Sequence, residues 1–329
     1  MTTPTEPEVD SGAEPEPGDA RAPRAARRIR LIWNMNAGSK AGISTNSTSE
    51  EELRALMAEH GLGDELFPSR SEEEAVAATR EAIAAGYDVV IAAGGDGTVS
   101  TVAFTLAGSS TALGVLPLGS VMNVARGLGI PRDLPGAAAI IAEGNVRVID
   151  IGEANGVPFL EVGSVGLNAA IFGEAQRFDK GDYGSFVGLL RTIIQHRPAH
   201  MRIDLDTRVV RAKALMVAVS NMPYGGLGMT FAPRARADDG LFDVRVYSGF
   251  SKFELLRHLA SITLGRRSYS PKVRTYRSRR VLIQTRHPRP VRADAHDLGT
   301  TPVRFRMRPR ALRVVAPEPQ RGPGAPITG

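Results

Sequence analysis

Residues 94–98 read Gly94-Gly95-Asp96-Gly97-Thr98, three glycines and a carboxylate in five positions. The run stands directly after the apolar stretch DVVIAA and directly before a segment with helical spacing, TVSTVAFTLAG. A strand-to-helix junction offers free backbone N–H groups and the positive end of the helix dipole, and glycine lets a phosphate approach the backbone closely. The chemistry this predicts is phosphate binding. Asp96 would be repelled by a bare phosphate, so its expected work is to organise a phosphate-bound Mg2+ or the attacking group. The alternative is a tight turn with Asp96 as a helix cap, which would not need Gly94, Gly95 and Gly97 together. The run is not a Walker loop, since no Gly-Lys-Ser/Thr follows, nor the GxGxxG dinucleotide fingerprint.

The rest of the composition narrows the chemistry. With no cysteine among 329 residues, a thiolate nucleophile, a disulfide framework and a Cys-ligated zinc or iron–sulfur site are excluded. His196 and His200 stand at ligand spacing for a helix, but Pro198 between them breaks that geometry. A hydrophobic fraction of 42% allows sizeable cores, and the length suits two domains.

The elements that must position the loop alternate along the first half. RIRLIW, YDVVIAAG and TALGVLPL read as strands, and EEELRALMAEHG, SEEEAVAATREAIAAG, TVSTVAFTLAG and DLPGAAAIIAEG as helices. Ser49 with Glu52 and Ser71 with Glu74 have capping-box spacing. The pattern predicts a doubly wound α/β nucleotide domain over 27–144. Beyond it, short runs rich in Val, Ile and Arg predict a β-rich, antiparallel, sandwich-like domain over 145–316, with helices at SFVGLLRTIIQH and SKFELLRHLASITLG. The C-terminal strand is a candidate to return to the first domain. Residues 1–26 and 317–329 are Pro-rich, without apolar periodicity, and are expected to be disordered tails.

The net charge of +6 conceals an asymmetry. Residues 1–20 hold six acids and no base, whereas Lys272 to Arg313 holds thirteen Lys or Arg against Asp294 and Asp297. Such a stretch is either the solvated face of strands or a surface for a phosphate-rich partner: nucleic acid, an anionic membrane surface or a phosphorylated substrate. Too few aromatics interleave with the arginines for base stacking, so no nucleic acid partner is expected. No run approaches the roughly 18 to 20 apolar residues of a membrane span, and the start is acidic instead of basic and then apolar. A cytoplasmic protein with peripheral membrane contact is the expectation, and a homodimer is left open.

Several motifs together resemble one family, the diacylglycerol kinase-like lipid kinases, which include bacterial diacylglycerol kinases and the sphingosine and ceramide kinases. Asn34-Met35-Asn36-Ala37-Gly38 is similar to the family's Asn-Pro-x-x-Gly nucleotide loop, with Met in place of Pro. Gly119-Ser120-Val121-Met122-Asn123, followed by Ala125-Arg126, resembles its Gly-Thr-x-Asn-Asp-Phe-Ala-Arg segment. Asp238-Asp239-Gly240 resembles a metal-associated loop, and Asp294-Ala295-His296 stands in the place of Asp-Gly-Glu. NAD kinases share the GGDGT loop, and a small-molecule kinase of that kind is the alternative, although the Asn-Glu pair they carry downstream occurs nowhere in this chain.

The resemblance implies an ATP-dependent, Mg2+-dependent phosphotransferase acting on a lipid hydroxyl such as that of diacylglycerol. Asn34, Gly38, Gly94, Gly95, Gly97, Thr98, Gly119, Ser120 and Asn123 would hold ATP, and Asp96 and Asp239 would organise Mg2+. His296 would accept the hydroxyl proton, with Asp294 beside it as a second catalytic candidate. Two departures fall on these positions: Met122-Asn123 replaces Asn-Asp, turning a carboxylate into an amide, and His296 replaces the Glu to which the general-base role is assigned. Histidine accepts a proton near neutral pH, so that role can survive in altered form. A catalytically weakened sensor that binds nucleotide or lipid is the other reading these departures allow.

Overall fold

The computed structural model describes residues 27–37, 39–40, 43–44, 48–171, 196–226, 228–264 and 270–318. The tail expected at 1–26, most of that expected at 317–329, and all but the last residue of the helix expected at SFVGLLRTIIQH lie outside the described residues.

The chain begins with β1 (Ile29–Asn34), a small hairpin of β2 (Ser39–Lys40) and β3 (Ile43–Ser44), α1 (Glu50–Glu59), β4 (Leu66–Ser69) and α2 (Glu72–Ala84). There follow β5 (Val89–Gly94), α3 (Asp96–Leu106), β6 (Ala112–Pro117), α4 (Asn123–Leu128) and α5 (Leu134–Glu143). Strands β4, β1, β5 and β6 pair in that order, all parallel. Every residue of β5 and β6 is buried, as covering both faces of a parallel sheet requires. Because β1 pairs with β4 on one side and β5 on the other, the connections leave in opposite directions, and a crevice opens over the C-terminal ends of β1 and β5. Those ends are Asn34 and Gly94. Trp33 of β1 is half-buried and packs against the core of this half.

Helix starts follow the local chemistry, with one difference. At α1 the capping box is complete: Ser49 Oγ accepts the Glu52 N–H at 3.2 Å, and Glu52 Oε2 accepts the Ser49 N–H at 2.9 Å. At α2 only the Ser71 arm forms, because Glu74 reaches one residue further back and accepts the Arg70 N–H at 2.7 Å. Helix α3 starts at Asp96, so most of the glycine-rich run is its first turn.

The second half comprises β7 (Val146–Ala154), β8 (Val157–Phe159), β9 (Val162–Gly166), β10 (Ala199–Leu205), β11 (Val209–Ser220), β12 (Tyr224–Gly225), β13 (Met229–Thr230) and β14 (Phe242–Ser248). After them come α6 (Lys252–Thr263), β15 (Val273–Ser278), β16 (Arg280–Thr285), β17 (Pro290–Ala293), β18 (His296–Thr300) and β19 (Val303–Val315). Their mutual pairings are antiparallel, around a core in which Phe159 stacks on Phe242 at 5.7 Å and meets Phe305 edge-on at 6.0 Å. The fold is a mixed α/β N-terminal half with a β-rich C-terminal half. His200 lies on β10, so the helical His196/His200 pair does not form.

Strand β19 joins the two halves. It pairs antiparallel with β16 and β7, and through Val314 it pairs parallel with Leu113 of β6. Between Arg308 and Leu312 its register shifts at a bulge where Arg310 has φ 53°. Buried Asp150 fixes that bend: Oδ1 accepts the Arg310 N–H at 2.7 Å and Oδ2 the Gly240 N–H at 2.6 Å. The first core therefore includes Ile149, Ile151, Leu312 and Val314 as well as residues of the nucleotide half.

Candidate active site

A cavity of about 540 Å3 occupies the crevice and is lined by Asn34, Gly97, Thr98, Asn123, Glu161 and Asp294, among others. Its floor is the first turn of α3, whose N-cap is Gly95 and carries no side-chain cap. Asn34 Nδ2 donates to Thr98 Oγ1 at 2.9 Å, and Asn34 Oδ1 accepts the Asn36 N–H at 2.9 Å, which ties the end of β1 to that turn. A Cβ on Gly97 would meet nothing within 4 Å, so the backbone there is open to an incoming group. A Cβ on Gly119 would lie 2.7 Å from Gly95 Cα and 2.8 Å from Met122 Sδ. Gly119 is thus required because the two loops touch backbone to backbone.

Asp96 is committed to structure as well as to the cavity. Its Oδ1 accepts the Val124 N–H at 3.1 Å, capping α4 from across the crevice. Met122, the N-cap residue of α4, offers no side-chain acceptor and is held in the left-handed region at φ 54°, ψ 52°. Burial raises the Asp96 carboxyl above the usual aspartate range, against the pull of the N–H groups of Val124, Asn123 and Met122.

Glu161 sits beside it, 5% exposed. Asn123 Nδ2 donates to Glu161 Oε2 at 2.7 Å and to the Gly226 carbonyl at 2.8 Å, which fixes the amide's orientation. Asn123 Oδ1, equally buried, has no partner among the described residues. Asp294, in the β17–β18 turn at φ 45°, holds the Glu161 backbone: its carboxylate accepts the N–H groups of Leu160, Glu161 and Val162 at 2.7, 3.0 and 3.0 Å. Burial pushes Asp294 up to about 6 despite those three donors and the neighbouring His296. Burial, then the charges of Asp294 and Asp96, hold Glu161 well above the ordinary glutamate range.

Of the residues singled out from sequence, the structure brings Asn34, Asp96, Gly97, Thr98, Asn123, Asp294 and His296 to this one cavity. Gly94, Gly95 and Gly119 shape it by packing; a Cβ on Gly94 would strike the Thr98 side chain at 2.5 Å. His296 is exposed at the rim, the first residue of β18. Gly38 lies outside the described residues. Two others lie away from it. Ser120 does not line the cavity, and its carbonyl accepts from Arg132 at 2.6 Å. Asp239, expected to organise Mg2+, is not at the cavity: Oδ1 accepts the Leu241 N–H at 3.1 Å in a turn, and Oδ2 is paired with Arg277. Glu161 was missed by the sequence reading; its one signal is a lone acid inside the apolar run PFLEVGSVG.

Among the described residues no three acid or histidine side chains stand ready as a metal cluster. The donors that line the cavity still suit a phosphate and its hard cation. The α3 amides and the open face at Gly97 fit the anion, and carboxylate oxygens of Asp96 and Glu161, with the orphaned Asn123 Oδ1, fit Mg2+.

Residues 28–154 match the diacylglycerol kinase catalytic domain, and residues 162–316 match the YegS C-terminal NAD kinase beta sandwich-like domain. The chain belongs to the diacylglycerol kinase-like family. A diacylglycerol kinase of Staphylococcus aureus is 27% identical over 300 residues, 88% of this chain and 93% of that protein. An uncharacterized Synechocystis protein is 30% identical over 241 residues, 70% of this chain and 55% of its own length, so the chain spans little more than half of that relative. The crystal structure of a diacylglycerol kinase from Bacillus anthracis superposes with a TM-score of 0.67 at 20% identity, covering 89% of this chain and 97% of the other. Membership of this family supports a phosphotransferase and implies ATP as donor. No helix among the described residues is long and apolar enough to cross a membrane.

Proposed function

We propose that the chain is an ATP-dependent lipid kinase that phosphorylates the hydroxyl of a lipid such as diacylglycerol. The observation that carries the reading is one cavity in which the uncapped N-terminus of α3 faces buried carboxylates and the β17–β18 turn. The α3 amides and Thr98 bind the nucleotide phosphates, and the loop contact between Gly95 and Gly119 keeps that cradle rigid. Mg2+, when bound, neutralises charge that develops on the β- and γ-phosphate oxygens. The lipid hydroxyl oxygen bonds to the γ-phosphorus as the bond to the bridging oxygen breaks, ADP leaves, and the hydroxyl proton passes to His296 at the rim. Asp294 is less suited to take that proton, since its oxygens already accept three backbone N–H groups; its work is to hold the 160–162 backbone.

Substrate access fits peripheral docking. The alternation of β19 leaves Arg304, Arg306 and Arg313 exposed, and β15 adds Arg274 and Arg277, a basic surface attractive to anionic lipid. The deciding experiment is transfer of labelled phosphate from ATP to a panel of lipids in mixed micelles, with and without Mg2+. Transfer to none of them, with nucleotide binding intact, would replace the kinase reading with that of a binding protein.

A further inference from the structure

Glu161 takes no part in the transfer step above, yet it is the most deeply buried acid of the cavity. A buried carboxylate is costly unless a positive charge or several donors compensate it. Here its neighbours are Asp96 and Asp294, both acidic, and its side-chain partner is a neutral amide at 2.7 Å. That amide, 1% exposed, turns both N–H bonds toward acceptors, one to Glu161 and one to Gly226, and leaves Oδ1 unpartnered. With Glu161 ionised, the unit holds one negative charge and one orphaned oxygen beside the phosphate cradle, an arrangement completed by a cation.

We propose that Glu161 is the carboxylate that recruits the divalent cation of the nucleotide, with Asn123 as its positioning partner, and that the pair must carry a single negative charge whichever residue bears it. The inference deepens the kinase reading and rests on its nucleotide site. It also accounts for the amide at position 123, where the resembled loop has a carboxylate: the charge has moved to the facing side chain. Two carboxylates at this separation would repel each other, so position 123 is an amide because Glu161 is an acid.

The test is calorimetric titration of the full chain with a non-hydrolysable ATP analogue, with and without Mg2+, beside thermal melting. Glu161→Gln is expected to melt at or above the wild type, to weaken Mg2+-dependent binding at least tenfold, and to change Mg2+-free binding less than threefold. Asn123→Asp is expected to melt lower at neutral pH. The exchange Asn123→Asp with Glu161→Gln should return Mg2+-dependent binding to within about threefold of the wild type. Unchanged binding in Glu161→Gln, or an exchanged protein no better than Glu161→Gln alone, would overturn the proposal. Failure of the lipid-kinase reading would show separately in the wild type, as Mg2+-dependent nucleotide binding without transfer to any lipid.

Discussion

Asp96 Oδ1 accepts the Val124 N–H at 3.1 Å, so the carboxylate in the first turn of α3 closes the N-terminus of α4. One side chain thus locks the GGDGT turn to the loop that carries Asn123. Asp96→Ala is expected to cost about 1 kcal/mol of stability, as loss of a helix cap does, besides lowering phosphotransfer at least about a hundredfold. Asp96→Asn keeps an acceptor for the Val124 N–H and should recover most of the stability but none of the turnover. Urea unfolding beside a transfer assay separates the two roles, and equal stability of the two variants would refute the capping role.

Two glycines that look alike in sequence should respond in opposite ways. Gly97 stands in α3 with open space where a Cβ would go, so Gly97→Ala should stabilise the chain by up to about 1 kcal/mol through helix propensity while obstructing the phosphate. Gly119→Ala must displace Gly95 Cα or Met122 Sδ, which overpacking results place at about 1–3 kcal/mol of destabilisation. Thermal melts and nucleotide titrations of the two variants check both signs. ATP affinity retained in Gly97→Ala would mean that the phosphate does not sit on this turn.

The nucleotide half was largely legible because its signals are local: buried runs at β5 and β6, Ser49 and Glu52 at the head of α1, and glycines at a strand-to-helix junction. What escaped depends on contacts distant in sequence. That a turn amide and Arg277 engage both Asp239 oxygens is set by the fold and not by its motif. Asp96 carried no sign that it would cap a helix 28 residues away. Glu161 is one acid in an apolar run, and only the fold sets Asn123 against it and Asp294 beneath its backbone.

The carboxylates make stability pH-dependent in a direction opposite to an ordinary paired acid. Asp294 is raised to about 6 by burial, and Glu161 is raised as well, so between about 4 and 6 the folded chain binds protons that the unfolded chain has lost. Their contribution is fully present below the unfolded values and declines as pH rises through about 6. Glu161→Gln removes one of the two charges and should melt roughly 2–4 °C above the wild type at pH 8, with the difference closing near pH 4. A constant difference across that range would show that the pair does not repel in the folded state.

His296 is where departure from the resembled family bears most directly on chemistry, and its position makes a clean test. The strand backbone places it, through pairing with Ala293 across the turn that holds Asp294, while its ring is exposed at the cavity rim. Removing an exposed ring should change stability by less than about 0.5 kcal/mol. If it accepts the hydroxyl proton, His296→Ala should lower kcat about a hundredfold or more with the ATP affinity unchanged. Exposure at the rim also leaves room for a substitute, so added imidazole should restore part of the lost turnover in a concentration-dependent way. His296→Glu, which returns the residue type of the resembled family, should retain activity. Full activity in His296→Ala, with no response to imidazole, would make the histidine a bystander. The proton would then leave by another route, and Asp294, whose oxygens are occupied by three amides, is poorly suited to take it.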